Sequence, residues 1–228
     1  MRVELQDVRA PLTANARFRR KLELVIGPYS EACTRLVDDP QLRELWPEYL
    51  VVQHQIIRAT VPLTRVALDR TQELGDDPAG LAAYLELHVD EELGHDETLL
   101  DDLELLGLPR GNVLGRMPSP AVASLVGAQY YWILHHHPVA FLGYVGLMEG
   151  YPPTEELIEV LIARTDFPRE AFRTFAEHGE LDPGHRDHLD RTLDALPLTE
   201  RHEEVIGASA IATVGLATAA VEQVLARP

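Results

Sequence analysis

His88-Val89-Asp90-Glu91-Glu92-Leu93-Gly94-His95 has a His-x3-acid-x2-His spacing, and that spacing returns later in the chain as His178, Asp182 and His185. On an α-helix advancing about 100° per residue, positions 0, 4 and 7 share a stripe less than about 60° wide. Each stretch therefore predicts a helix that aims two imidazoles and a carboxylate at one point. The stripes extend into Leu81, Tyr84, Leu85 and Leu99 around the first triplet, and into Ala171, Phe175 and Leu189 around the second. Both polar clusters thus interrupt apolar faces and are expected to be buried. Burying unpaired ionisable groups costs roughly several kcal/mol each, and a pair of transition-metal ions is the most economical compensation. Salt bridges on two unrelated helix surfaces are the plain alternative; the repetition of the template argues against them.

Outward from these stretches, apolar residues recur at helical spacing almost throughout and strand signals are scarce, which makes the class all-α. Helices are predicted near 13–36, 41–73, 77–106, 119–148, 153–164, 168–194 and 198–226. Asp77-Pro78 and Ser119-Pro120 read as helix starts, Gly107-Leu108-Pro109 as a stop, and Pro47, Pro62 and Pro138 as kinks. With 228 residues, 46% of them hydrophobic, and no Ser/Gly/Pro-rich linker, the expectation is one domain over 1–228. A net charge of −17 argues against nucleic acid as a partner. The single cysteine, Cys33, allows no internal disulfide, and MRVELQDVRAPL lacks the apolar core of a signal peptide, so a cytoplasmic location is expected. The uncharged run Val205–Val221 reads as a close-packed internal helix rather than a membrane span, and no membrane partner is expected.

Within the first triplet, Glu92 lies on the His88/His95 stripe and is the candidate ligand; Glu91, at its margin, is the reserve. Asp90, Glu86, Glu97 and Asp101 fall on the far side as a solvated face. A further candidate is Glu149, the one formal charge between Met117 and Thr154. The macrodipole disfavours an acid at the end of a helix, so a carboxylate closing or bridging a metal pair is the sharper reading, and exposure at a loop edge beside Gly150 the alternative. His135, His136 and His137 point three ways on a helix and read as a half-exposed helix end. Asp182-Pro183 either kinks its helix or caps a new one. The kinked form keeps all three ligands near one face, and its proline predicts a helix that loosens without metal. His54 and Arg58, four apart, read first as partly buried structural side chains. The alternative is substrate contact, with an Arg fork suited to a carboxylate, and with Tyr130, Tyr131, Trp132, Phe141 and Tyr144 as apolar walls.

Over roughly 45–226 the chain resembles the heme-oxygenase-like diiron oxidases and oxygenases, a family of iron-containing redox enzymes. The resemblance rests on His88-x2-Glu91-Glu92-x2-His95-Asp96 with Leu99-Leu-Asp-Asp-Leu, on Gly143-Tyr144 through Glu149-Gly-Tyr-Pro-Pro153, and on His178-x3-Asp182-x2-His185. It implies a seven-helix fold similar to heme oxygenase holding two irons, with His88, Glu92, His95, Glu149, His178, Asp182 and His185 as ligands. Many members have Glu where this chain has His88. The implied activity is O2-dependent oxidation of a small amine- or amino-acid-like substrate, in natural product metabolism. An external electron donor and a homodimer are possible partners. Competing readings are a ferritin-like iron store, which would carry more carboxylates, and a cofactorless member of the fold. No histidine precedes His54, against a heme-binding role, and Cys33 has no catalytic setting for a thiaminase-like one.

Overall fold

The computed structural model describes residues 11–75 and 80–226, and among these regular structure is helical throughout. The expected helix start at Asp77-Pro78 and residues 1–10 lie outside them. α1 (Ala14–Val25) and α2 (Gly27–Asp38) replace the single helix expected over 13–36. The division falls at Ile26, just before Pro28, whose missing N–H suits the first turn of a new helix. α3 (Leu42–Leu74) runs without interruption through Pro47 and Pro62 and is closed by Gly75 in the left-handed conformation (φ 61°).

The helix expected over 77–106 is two, α4 (Leu81–Glu92) and α5 (His95–Leu105). They part at Leu93-Gly94, where Gly94 adopts φ 94°, a conformation that side chains resist. A short α6 (Arg110–Leu114) follows. α7 (Pro120–His135) starts where the Ser119 hydroxyl accepts the Val122 N–H, and stops before Pro138. A 3-10 turn at Pro138–Ala140 then leads into α8 (Phe141–Met148), so the run over 119–148 is also divided. α9 (Glu155–Thr165), α10 (Arg173–Ala195) and α11 (Glu200–Leu225) complete the order. The seven helices implied by the resemblance thus come as a larger number of segments. α10 continues through Pro183, which overturns the alternative in which Asp182 caps a new helix.

α3 is the spine, packed against α4, α5 and α7, while α11 packs on α8, α7, α2 and α1. α11 is long and apolar enough to cross a membrane, yet 56% of its most apolar window is buried inside the protein. α8 lies so close to α11 that a Cβ on Gly143 would stand 2.3 Å from the Ile206 carbonyl oxygen. α8 is buried from Phe141 to Leu147, and Glu149 at its C-cap is buried with it.

Candidate metal centre

His88 and Glu92, one turn apart on α4, are 1% and 7% exposed, and Glu149, at the C-cap of α8, is 5% exposed. Glu149 is therefore not at an exposed loop edge. Ligand atoms from these three residues all lie within 4.8 Å of one another, an arrangement that could hold a metal ion. His88 Nδ1 and a Glu149 oxygen are 3.2 Å apart.

The remaining candidates gather beside this group. His95 opens α5 with its Nδ1 3.6 Å from Glu92 Oε2. Its ring meets that of His178 on α10 edge-on, with centroids 4.8 Å apart. Asp182 is buried, and its Oδ1 is 3.5 Å from His185 Nδ1. Glu91 stands at the margin, its two oxygens 4.0 Å from His88 Nδ1 and from His188 Nδ1 respectively. Sequence reasoning missed His188; its signal was the His185-x2-His188 spacing on one helix.

These close contacts lack hydrogen-bond alignment. Both ring nitrogens of His88, Nδ1 of His95 and of His185, Oδ1 of Asp182 and one oxygen of Glu149 are buried without a hydrogen-bond partner. An unsatisfied buried polar group costs about 1–3 kcal/mol, more when charged, so a cluster of them in one place calls for a ligand. Nitrogen and oxygen donors in this mixture suit iron. His178 is already oriented for that role, since its Nδ1 pairs with the Thr174 carbonyl at 2.7 Å, leaving Nε2 for a metal.

Electrostatics agree with the donor set. Burial drives His88 down to about 4, against the pull of Glu92, so its ring is neutral at neutral pH with a lone pair to give. Burial, reinforced by Glu92 and Asp182, lifts Glu149 well above the usual carboxylate range. Burial also pushes Glu92 up, but pairing with His95 and the nearby histidines outweigh it and leave it low. His95 and His185 are raised, chiefly by pairing with Glu92 and Asp182.

A cavity of about 370 Å³ is lined by His88, Glu92, Glu149, His178 and Asp182 on its polar side. Its walls include Tyr29, Trp46, Tyr49, Phe175 and Tyr144. Tyr144 lies there with its hydroxyl 3.4 Å from Thr60 Oγ1. His54 is buried and Arg58 exposed, and neither lines the cavity; nor do Tyr130, Tyr131, Trp132 and Phe141. The contribution of α3 is instead the stripe Trp46, Tyr49, Gln53, Ile56 and Thr60, visible in the sequence as helical spacing but about 140° around the helix from His54 and Arg58. Of the histidine run, His135 and His136 are exposed, while His137 Nδ1 accepts the Val139 N–H and caps the 3-10 turn.

The model of a family described as iron-containing redox enzymes matches residues 81–216, and the chain belongs to that family. No curated protein is significantly similar to it. Among solved structures, a Shewanella denitrificans domain of unknown function with a heme oxygenase-like fold superposes with a TM-score of 0.74 at 18% identity, over 93% of this chain and 88% of that one. A TenA homolog from Pseudomonas syringae pv. tomato gives 0.68 at 14%, over 95% and 97%, and a CADD-like protein of unknown function from Nostoc punctiforme 0.64 at 19%, over 91% and 96%. The fold is therefore all-α and heme oxygenase-like.

Proposed function

We propose that this protein is a non-heme diiron oxidoreductase that uses O2 to oxidise a small, amine-bearing molecule. The observation that carries the reading is the convergence of imidazole and carboxylate groups from α4, α8 and α10 on one cavity, several of them buried without a hydrogen-bond partner, with His95 of α5 beside Glu92, in a chain of an iron-containing redox family. His88, Glu92 and Glu149 would hold one iron, and His95, His178, Asp182 and His185 the other, with Glu92 close to both sets. Iron bound there would supply the redox chemistry with O2 that side chains lack. The imidazoles fix position and the three carboxylates offset most of the added charge. The apolar and aromatic walls exclude water and hold the carbon skeleton of a substrate.

With the carboxylates Glu92, Glu149 and Asp182 taken up by iron, an amine is favoured by the aromatic faces of the cavity and by the lack of Lys or Arg among its described lining residues. An amino acid's carboxylate would have only the metals to pair with, since Arg58 does not line the cavity. The test is O2 uptake by protein loaded anaerobically with Fe(II), across a panel of primary amines and amino acids. Uptake that rises with one amine, stops on chelation and is unchanged in Arg58→Ala supports the reading. Uptake indifferent to every organic compound refutes substrate oxidation and points to iron storage.

A further inference from the structure

Seven residues beyond His95 on α5, and so on the same face, stands Asp102, 1% exposed. Its Oδ2 accepts the N–H of Thr174 at 2.8 Å. Thr174 is the second residue of α10, itself 3% exposed, and its N–H is one of the first-turn donors that a helix cannot satisfy internally. The residue at the N-cap, Phe172, provides no side-chain acceptor, so the cap comes from another helix. One turn on, the Thr174 carbonyl holds His178 Nδ1 at 2.7 Å. The α5–α10 contact is thus a ladder of two rungs, Asp102 to Thr174 and His95 to His178. Arg173 and Asp101, paired at 3.0 Å, reinforce the first rung at the surface.

α10 needs such an anchor. Gly179, Pro183 and Gly184 lie in its middle and weaken it, so the two turns that carry Thr174 and His178 cannot rely on the rest of the helix for order. A carboxylate at the helix start satisfies a donor and complements the macrodipole. We infer that Asp102 is a positioning residue for His178: by capping α10 from α5 it fixes the carbonyl that orients the imidazole, and so presets one side of the metal centre. This rests on His178 holding metal as proposed above.

Wild type, Asp102→Ala, Asp102→Asn and His178→Ala are to be purified metal-free and titrated anaerobically with Co(II), a visible stand-in for Fe(II). Amide hydrogen exchange is followed over 173–182 in the same metal-free samples. Asp102→Ala is expected to weaken the Co(II) site that His178→Ala abolishes by about 10- to 100-fold, and to speed exchange around Thr174 and His178. Asp102→Asn keeps the shape and one acceptor oxygen, and should show both effects in smaller measure, about three- to tenfold in affinity. Should the alanine variant fail to fold, the asparagine variant carries the test. Affinity within about twofold of wild type in the folded variants overturns the inference, even if exchange speeds up, because Asp102 would then be a structural cap alone. A wild type that binds no Co(II) refutes the metal reading itself, and a His178→Ala variant that binds like wild type removes His178 from it.

Discussion

The two His-x3-acid-x2-His stretches share a spacing and differ in backbone. The first is broken at Leu93-Gly94, so His88 and Glu92 end one helix and His95 begins the next. The second, which contains a proline, is one helix from Arg173 to Ala195. A proline in a helix interior costs about 3 kcal/mol or more, and α10 carries it on its exposed side while burying Thr174, Asp182, Leu189 and Leu193. Gly94 is a different case: its φ of 94° is open to glycine at little cost, and the chain uses that freedom to turn between α4 and α5. Packing on the buried side decides whether a helix breaker breaks, and one spacing of candidate ligands can be presented by a rigid corner or by a weakened rod.

The largest expected effect separates the stretches by what each holds. Glu92 lies near His88, Glu149 and His95, whereas Asp182 lies against His185. Glu92→Ala should therefore leave less than about one iron per chain, and Asp182→Ala remove about one of two, both read by metal analysis after anaerobic loading. Equal losses would erase the distinction.

Next comes pH. His88 is held below its unfolded value, so the unfolded chain binds more protons between about pH 4 and 6.5. The full contribution of neutral His88 is present above that window and is lost as pH falls through it, by at most about 3 kcal/mol. Glu149, raised by burial, has the opposite sign: its protonated form is stable in the fold, and that stability is lost as pH rises through its elevated value. Metal-free protein should thus lose thermal stability in both directions, and Fe(II) should stabilise it most near neutrality, as thermal unfolding across pH would show. The two contributions offset each other between about pH 4.5 and 6.5, so the contradicting result is a metal-free stability that does not fall above about pH 6.5, where His88 no longer offsets Glu149.

The smallest effects use one substitution in both places. Gly94→Ala should destabilise by about 1–2 kcal/mol, because no atom lies within 4 Å of the added Cβ and only the left-handed backbone resists it. Gly184→Ala, in open space on helical backbone, should stabilise by about 0.5–1 kcal/mol. Chemical denaturation measures both, and the same sign at the two positions would mean the backbone contrast is not there in solution.

Much of this was legible in the sequence because it depends on local periodicity. His88 and Glu92 are one turn apart on any helix, and the isolation of Glu149 in a charge-free stretch survives without knowing its neighbours. The helical class and the burial of Leu81, Tyr84, Leu85 and Leu99 follow from the same pattern. The break at Gly94 was not legible, since a glycine may sit inside a helix or end it and the choice is made by α3 packing against both α4 and α5. Nor was the cavity wall: α3 is covered on several sides, and spacing alone does not say whether the His54/Arg58 face or the Trp46/Tyr49 face looks inward. Asp102 follows exposed Asp101 in a run of acids, yet its spacing of seven from His95 puts it on the buried stripe, so its burial was legible in the periodicity and only its partner, the Thr174 N–H, was not.

The central claim is that both stretches hold metal in one centre. Its most direct measurement is the number of Fe(II) ions bound under anaerobic conditions by wild type, His95→Ala and His185→Ala. The expected result is about two per chain in the wild type and a clear reduction in each variant, with folding retained. Wild-type protein that binds no Fe(II), or binding that neither substitution alters, would contradict the account and return the two stretches to structural pairing.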